Sequence, residues 1–496
     1  MKTESICPKC LKKVKVEITQ EKDKILMHKK CREHGSFTTL HWQSAKIFSH
    51  VEKFDFFEHY LRNDDPKNDY NCPFSCGLCK NHISRTVIGV IDLTKRCDLN
   101  CPICFASFPE CMVEYEPSRD EIFKMLDFLS NLNPKPPAVL FSGGEPLLRE
   151  DLADIIRYAH KLGFLTILAT NGIRMAKEPS LAAKLKKSGL NIVYLQFDSL
   201  KDEVYEKLRG KGLLKEKLTI VDLCRKHDIE VILVPTLING INNGEVGDII
   251  KFAAENSYII RGVVFQPIAF TGKASNGQLI DEWVDYSFAE EVERQTSGEI
   301  KAEDLFPVSI MVPPIIVMGR FMKKPWPPFS CSPHCGIVNW IYVSKDGRLI
   351  PLNNFLNFEK FFNTLIKLSK SIDSKGKTQI LATLFTAALK SLNWVVVQKE
   401  VGIFNFFKTV LRVHMSPTYK SLGKIRRRIF LLGCMAFMDR YNFDVNRVKR
   451  CVIHYITPDL KIIPFCAYNN IYRTQVEAKY STKALEREIK PLQQSS

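Results

Sequence analysis

Six short apolar runs alternate with amphipathic segments between residues 87 and 267. Each run has the length of a buried strand, and each intervening segment has the apolar spacing of a helix. Parallel neighbours need a crossover connection, so this alternation predicts an α/β fold, a parallel sheet curled into a partial (β/α)6 barrel. The predicted strands are Val87–Leu93, Pro136–Phe141, Leu165–Ala169, Ile192–Phe197, Glu230–Thr236 and Val263–Pro267, and the predicted helices include Asp151–Lys161, Leu181–Ser188, Lys217–His227 and Gly244–Asn256.

Three cysteines follow the first predicted strand. Cys97, Cys101 and Cys104 form a C-x3-C-x2-C loop. A four-iron cluster normally takes four thiolates, so three leave one iron open to a substrate or cofactor. The alternative is a zinc knuckle, but zinc sites normally come as two C-x2-C pairs. The pattern therefore favours a cluster with an open iron.

The loop, the aromatic Phe105 after it and the run Gly143-Gly144-Glu145-Pro146 resemble the radical S-adenosylmethionine (SAM) superfamily. The resemblance implies that SAM binds the open iron and is cleaved to a 5′-deoxyadenosyl radical. It also implies that the backbone of Gly143, Gly144 and Glu145 holds the methionine amino group of SAM. Asn171 and Asp198 follow two further strands and are expected to contact SAM or substrate, with turn formation and helix capping as the alternative. Beyond the SAM cluster, no catalytic side chain is expected.

A second metal site is predicted near the amino terminus. Cys7-Pro-Lys-Cys10 is followed by Cys31-Arg-Glu-His34, with alternating strands between the two pairs. One tetrahedral Cys3His site would stabilise a ribbon too short to bury a core of its own. The spacing leaves zinc and a rubredoxin-like mononuclear iron equally open.

Eight more cysteines would complete two fully ligated four-iron auxiliary clusters. They are Cys72, Cys76 and Cys79, which repeat the C-x3-C-x2-C spacing, and Cys331, Cys335, Cys434, Cys451 and Cys466. Their partition between the clusters stays open, with His82 as a further candidate ligand. The sixteen cysteines and an amino terminus without a secretory signal lead us to expect a reducing compartment, and metal sites in place of disulfides.

The carboxyl-terminal part contains a loose duplication. Residues 335–351 and 451–466 each read as a hairpin with cysteines near its ends. We expect an α+β auxiliary-cluster domain packed over the barrel mouth. The predicted organisation is a metal ribbon at 1–60, an auxiliary-cluster segment at 61–85, the barrel at 86–285 and the auxiliary-cluster domain at 286–496, with a basic amphipathic helical insertion at about 360–432.

The formal net charge is +17, which favours either nucleic acid or an anionic membrane surface as a partner. We find no RNA-binding module and expect no nucleic acid. The segments Phe361–Leu368, Ile380–Leu392 and Phe404–Arg428 are both apolar and basic, as in helices that lie in a membrane interface. The alternative is an insertion packed on the protein with a solvated basic face. No stretch is apolar enough to span a bilayer, so we expect a cytoplasmic protein, peripheral at the inner membrane face.

The ribbon, both cysteine triplets, the Pro333-His334-Cys335-Gly336 hairpin, the run 441–444 and the ending from Arg450 to Cys466 together resemble the tetraether lipid synthase family. The resemblance implies that radical chemistry joins the termini of saturated lipid chains, an auxiliary cluster trapping the first substrate radical. It implies SAM, three [4Fe-4S] clusters, one mononuclear iron or zinc, a phospholipid substrate and an external electron donor such as a ferredoxin or flavodoxin. The alternatives are a radical SAM maturase acting on a peptide or nucleic acid, and a non-catalytic iron–sulfur protein.

Overall fold

A computed structural model describes residues 2–56, 71–79, 82–107, 114–274, 287–322, 330–415 and 426–481. The predicted boundaries at 60/61 and 285/286 lie outside these residues. The chain opens with a four-stranded antiparallel sheet in the order β1-β2-β3-β4, followed by the helix Ala45–Glu52. Alternate residues of β2 and β3 are buried, as expected for a sheet with one solvated face. The strands are β1 Lys2–Ile6, β2 Lys13–Glu21, β3 Lys24–Cys31 and β4 Gly35–Trp42.

The six predicted parallel strands form one curved sheet, which confirms the α/β fold. Their order is β11-β9-β8-β7-β6-β5, and each neighbouring pair runs parallel. They are β5 Ile88–Thr94, β6 Ala138–Gly143, β7 Leu165–Thr170, β8 Ile192–Gln196, β9 Glu230–Val234 and β11 Ile260–Pro267, with the short β10 Thr236–Leu237 paired to β11. The crossover helices are Arg119–Ser130, Leu152–Lys161, Ile173–Lys177, Ser180–Lys187, Asp202–Arg209, Leu214–His227 and Val246–Glu255.

Both predicted carboxyl-terminal hairpins are present, but they extend the barrel sheet at its two edges. On one side β15 pairs in parallel with β11, and β13 pairs antiparallel with β15. On the other side β16 pairs in parallel with β5. Phe430, Leu432 and Cys434 of β15 join the barrel core, so burial of their apolar side chains explains the attachment. These strands are β12 Phe306–Pro307, β13 Gly336–Val343, β14 Leu349–Pro351, β15 Ile429–Met435, β16 Ile453–Ile456 and β17 Ile462–Pro464.

The first expected basic amphipathic segment is helical throughout, and the second is helical as far as Ser391. The third is helical from Phe404 to Met415; residues 416–425 lie outside the described residues, and Arg427 and Arg428 form a turn. Within the described parts of the chain, no helix is both long and apolar enough to cross a membrane. The remaining helices are Phe288–Gln295, Val312–Met322, Leu352–Phe355, Phe358–Ser371, Lys377–Ser391, Trp394–Glu400, Ile403–Met415, Val445–Lys449, Phe465–Ala467 and Arg473–Lys479.

Candidate active site and metal centres

The Gly-Gly-Glu turn after β6 packs directly against the chain that leads into the first cysteine loop. The Gly144 amide donates to the Thr94 carbonyl at 2.6 Å, and the Glu145 amide donates to the Arg96 carbonyl at 2.8 Å. Gly143 has φ +127°, and a Cβ there would lie 2.3 Å from the Thr94 oxygen. A Cβ on Gly144 would lie 2.2 Å from the Arg96 oxygen. Glycine is therefore required at both positions, because the turn lies too close to the backbone of residues 94–96 to leave room for a Cβ. This close contact holds the turn beside Cys97.

Glu145 ties the ends of β6 and β7 together. Its buried carboxylate accepts hydrogen bonds from the Leu147 amide at 3.0 Å, the Thr170 hydroxyl at 2.6 Å and the Asn171 amide at 2.7 Å. Burial raises the pKa of Glu145 to about 7, against the effect of these donors. The side chain thus orders the strand ends, while the expected SAM contact concerns the backbone of the turn.

Asn171 links the end of β7 to the cysteine loop. Its side-chain amide donates to the Asp98 carboxylate at 2.7 Å, one residue beyond Cys97. Its side-chain oxygen accepts from the Ile173 amide at 2.9 Å at the start of the next helix. The turn-forming alternative is therefore realised, and Asn171 also positions the loop. Its expected contact with SAM stays a prediction.

Asp198 has a positioning role in the structure. The Arg209 guanidinium forms two 2.8 Å hydrogen bonds with the fully buried Asp198 carboxylate, and the Thr236 amide donates to it at 3.0 Å. Gln196 also contacts Asp198. Protein donors thus contact both carboxylate oxygens of Asp198, and its expected contact with SAM or substrate stays a prediction.

The sequence interpretation missed two buried cations next to this site. Arg209 donates to the Ile103 carbonyl inside the cysteine loop at 2.9 Å. Burial raises the pKa of the Cys101 thiol, and the Arg209 charge opposes that shift. Lys217 is fully buried, and its ammonium donates to the Asn171 carbonyl at 2.6 Å and to Gln196 at 2.7 Å.

One sequence signal could have found Lys217. It shares the buried face of the helix Leu214–His227 with Ile220, Val221 and Cys224. A lysine at an apolar position of a periodic pattern indicates a buried charge with a partner. Arg209 stands at the end of a short helix, where a basic residue is ordinary, so its sequence context carried no comparable signal.

The donor set of the first loop fits a cluster with one open iron. Cys97 is exposed, Cys101 and Cys104 are half-buried, and all three are free cysteines. Each iron-bound thiolate occupies a different corner of a four-iron cluster, so its cysteines need not lie within reach of a single ion. Phe105 stacks on Phe465 with ring centroids 5.6 Å apart. The loop thus meets both the barrel strand ends and the carboxyl-terminal hairpin.

The ribbon brings its four predicted ligands together. The donor atoms of Cys7, Cys10, Cys31 and His34 all lie within 4.8 Å of one another. The Cys31 sulfur lies 3.6 Å from His34 Nδ1, and this contact lowers the pKa of the Cys31 thiol to about 6. The geometry suits one tetrahedral ion, and zinc and iron both remain open.

The second triplet lies against the carboxyl-terminal end of the described chain. The Cys76 amide donates to the Tyr472 hydroxyl at 3.1 Å. Burial, with a contribution from Cys79, raises the pKa of Cys72 to about 11. His82 Nε2 lies 2.9 Å from the Cys451 carbonyl and 3.1 Å from His454 Nε2. This nitrogen therefore faces a histidine and a carbonyl, which argues against His82 as the missing ligand through Nε2.

Four of the five carboxyl-terminal cysteines are linked by effects of one thiol on the pKa of another. Burial raises the thiol pKa of Cys451, and the nearby Cys466 and Cys335 raise it further. Burial likewise raises the pKa of Cys331, with Cys335 as the next cause. At Cys434, burial alone raises the pKa. Cys335 thus lies near Cys331 and Cys451, and Cys466 lies near Cys451, whereas Cys434 packs in the barrel core with Phe430 and Leu432. Which of these cysteines share a cluster stays a prediction.

Comparison with known proteins agrees with this architecture. The family profile described as "Radical SAM superfamily" matches residues 91–253. The profile described as "HMPTM N-terminal zinc ribbon domain" matches residues 1–43. A solved structure of Streptococcus suis SuiB bound to S-adenosylmethionine overlaps only partly, with TM-score 0.35, 17% identity and coverage of 44% of this chain and 47% of that chain.

Two curated relatives differ in how much of this chain they match. The Fe-coproporphyrin III synthase of Methanosarcina barkeri is 33% identical over 38% of this chain and 45% of its own length. The 7,8-dihydro-6-hydroxymethylpterin dimethyltransferase of Methanocaldococcus jannaschii is 40% identical over 97% of this chain and 95% of its own length. The full-length relative is named as a pterin methyltransferase and not as a tetraether lipid synthase, so the narrower lipid resemblance is not supported by its name. With the cysteine loop, the Gly-Gly-Glu turn and the ribbon in place, the chain belongs to the radical SAM superfamily and, within it, to the family of this Methanocaldococcus enzyme.

Proposed function

We propose that this radical SAM enzyme forms carbon–carbon bonds at the unactivated ends of saturated lipid chains. Cys97, Cys101 and Cys104 would hold the SAM cluster, and the backbone of Gly143 and Gly144 would lie beside bound SAM. Bound there, SAM and the cluster supply a radical able to remove hydrogen from an unactivated carbon. The chain's own residues fix the loop through Asn171 and Arg209.

The observation that carries the lipid substrate is an apolar cavity of about 360 Å³ beside β13 and β15. Its lining is almost entirely apolar, and the polar exceptions are Asn339 and two arginines, Arg261 and Arg426. Such a lining suits an alkyl chain better than a hydrogen-bonding ring, because each unpaired polar group of a ring would lose its water contacts. The apolar residues include Ile310, Met311, Pro314, Leu352, Leu356, Phe358, Phe361, Phe362 and Leu365.

The position of the cavity also suits a long chain. Arg261 and Ile429 stand at the amino ends of β11 and β15, opposite the edge that carries the cysteine loop. An alkyl chain that reacts at its terminal carbon has its headgroup a full chain length from the cluster. Arg261 and Arg426 both line the cavity and approach the Glu230 carboxylate. Guanidinium groups suit the oxygens of a phosphate headgroup.

The second candidate is methylation of a reduced pterin. It is supported by the 40% identity to the Methanocaldococcus enzyme over nearly the whole chain. Methylation and chain coupling would both use the radical that SAM supplies at the same cluster site. The two candidates differ in the substrate pocket, which makes substrate choice the deciding measurement.

The test is anaerobic reconstitution with iron and sulfide, then reaction with SAM and dithionite. Archaeol-type phospholipid and 7,8-dihydro-6-hydroxymethylpterin are supplied in separate reactions, and 5′-deoxyadenosine and product masses are measured. Coupling yields a lipid lighter by two hydrogens per bond, with one hydrogen passing to each of two deoxyadenosines. A pterin heavier by one CH2 per methyl, together with unchanged lipid, would replace the lipid proposal by the second candidate.

A pair of variants ties the outcome to the cavity. Phe361→Glu places a charge in the apolar lining, whereas Phe123→Glu changes a similarly half-buried helix residue on another face. We expect Phe361→Glu to lose coupling while uncoupled deoxyadenosine formation continues, and Phe123→Glu to retain coupling. Coupling that survives Phe361→Glu would rule out this cavity as the chain-binding site.

A further inference from the structure

Two consecutive helices, Trp394–Glu400 and Ile403–Met415, form a corner on the surface. Gly402, with φ +80°, makes the turn between them, and its amide donates to the Val397 carbonyl at 2.9 Å. Trp394 of the first helix contacts Phe406 and stacks on Phe407 of the second, with centroids 6.0 and 6.1 Å away. The corner therefore has a defined shape of its own.

The corner is fastened to the sheet. Val397 is buried in a cluster with Tyr342 and Phe355. The Tyr342 hydroxyl donates to the Glu400 carbonyl at 3.1 Å, and Arg348 pairs with the Glu400 carboxylate at 3.0 Å. These contacts hold the two helices of the corner in place against the sheet.

The two helices of the corner carry large apolar side chains that are exposed to water. Phe404 is 79% exposed, Val395 78%, Phe407 42% and Ile403 40%. We call these four residues the exposed apolar patch. Single exposed hydrophobic residues are ordinary, but four on adjoining helices, two of them aromatic, indicate a surface that is covered in use.

The surroundings of the patch are basic. Residues 358–408 contain eight lysines and three acidic residues, and one of these acids, Glu400, is paired with Arg348. Lys399 and Lys408 are exposed on the same two helices as the patch. Lysines beside aromatic residues can reach phosphate groups while their neighbours enter the acyl boundary.

We infer that the exposed apolar patch docks the protein on an anionic phospholipid bilayer. A second copy of this chain fits less well, because it would bring the same basic segment and a net charge of +17 against it. Docking on a bilayer is separate from the proposed reaction, because binding of the protein to vesicles is measured without turnover.

The test uses the reconstituted full-length protein and vesicles of phosphatidylglycerol with phosphatidylcholine, compared with phosphatidylcholine alone, by co-sedimentation. Phe404→Gln combined with Phe407→Gln should weaken binding to anionic vesicles about tenfold or more, since two aromatic anchors are removed. Leu218→Gln is the matched control, because Leu218 is a 36% exposed leucine on the barrel helix Leu214–His227. Lys399→Glu with Lys408→Glu should weaken binding at low salt and have less effect at high salt.

Deoxyadenosine formation by the Phe404 and Phe407 double variant should match the wild type, which shows that the fold and the SAM cluster are intact. Equal binding by wild type and double variant would overturn the inference, as would equal binding to charged and uncharged vesicles. Patch-dependent self-association without vesicle binding would assign the patch to a second copy. Vesicle binding without lipid coupling would leave this inference standing and remove the proposed lipid reaction.

Discussion

The guanidinium of Arg209 forms two 2.8 Å hydrogen bonds with the carboxylate of Asp198, and both side chains are buried. The same guanidinium reaches the Ile103 carbonyl between the second and third cysteines of the SAM loop. Removing one partner of a buried ion pair leaves the other charged and unpaired. The geometry of the cysteine loop therefore depends on the Asp198–Arg209 ion pair, although neither residue is among the predicted cluster ligands.

Asp198→Asn should lower the free energy of unfolding by about 3 to 5 kcal/mol, since it leaves Arg209 buried without its counter-ion. We expect the iron bound at the SAM loop and the yield of deoxyadenosine to fall with it. Anaerobic denaturant unfolding and single-turnover SAM cleavage provide the measurements. Arg225→Lys serves as the control, because Arg225 pairs with Asp222 on an exposed helix face. A stable, fully active Asp198→Asn enzyme would contradict this role.

Gly143→Ala should disrupt the SAM site, because its Cβ would collide with the Thr94 carbonyl and its φ of +127° is unfavourable for alanine. We expect a lower melting temperature and loss of SAM binding, measured by thermal unfolding and equilibrium dialysis. Gly244→Ala is the comparison, since no atom lies within 4 Å of a Cβ built there. Similar behaviour of the two variants would show that the close approach at Gly143 is unimportant.

Cys434→Ala should keep the iron content and cluster spectrum of the wild type, because Cys434 packs with Phe430 and Leu432 in the barrel core. Cys451→Ala should lose about one cluster's iron, since Cys451 lies near Cys335 and Cys466. Iron and sulfide analysis with electron paramagnetic resonance distinguishes the outcomes. Loss of a whole cluster from Cys434→Ala would show that Cys434 is a cluster ligand.

Lys217 should make stability depend on alkaline pH. Burial lowers its pKa to about 8, whereas in the unfolded chain it titrates near 10.5. Between these values the unfolded chain holds a proton that the folded chain has released, so stability rises with pH from about 8 to about 10.5. Below pH 8 lysine is charged in both states, and its contribution to stability is lowest.

The measurement is anaerobic urea unfolding of wild type and Lys217→Met at pH 8 and pH 9.5. As the pH rises, the free energy of unfolding of the wild type should increase relative to that of Lys217→Met, by up to about 1.4 kcal/mol per pH unit. Lys226→Met, at an exposed position of the same helix, should show no such gain. A constant difference between wild type and Lys217→Met would mean that the Lys217 pKa is not depressed.

The barrel was predictable because local periodicity defines each strand and helix, and parallel strand ends place the cysteine loop beside Gly143 and Asn171. Arg209 and Asp198 were harder, since their pairing is a tertiary contact between a strand end and a helix end. The attachment of β15 to β11 joins residues about 170 positions apart. The sequence predicted the hairpins correctly, but no local pattern specifies which edge of a sheet a distant strand joins.

The ribbon is held against the opposite end of the chain. Thr3 donates to Asp444 at 2.7 Å, Lys29 to the Arg440 carbonyl at 2.9 Å and Thr39 to the Tyr441 carbonyl at 2.8 Å. These contacts join residues more than 400 positions apart in the chain. During translation the ribbon is therefore made long before the surface that holds it, and it docks only after residues 440–444 have been synthesised.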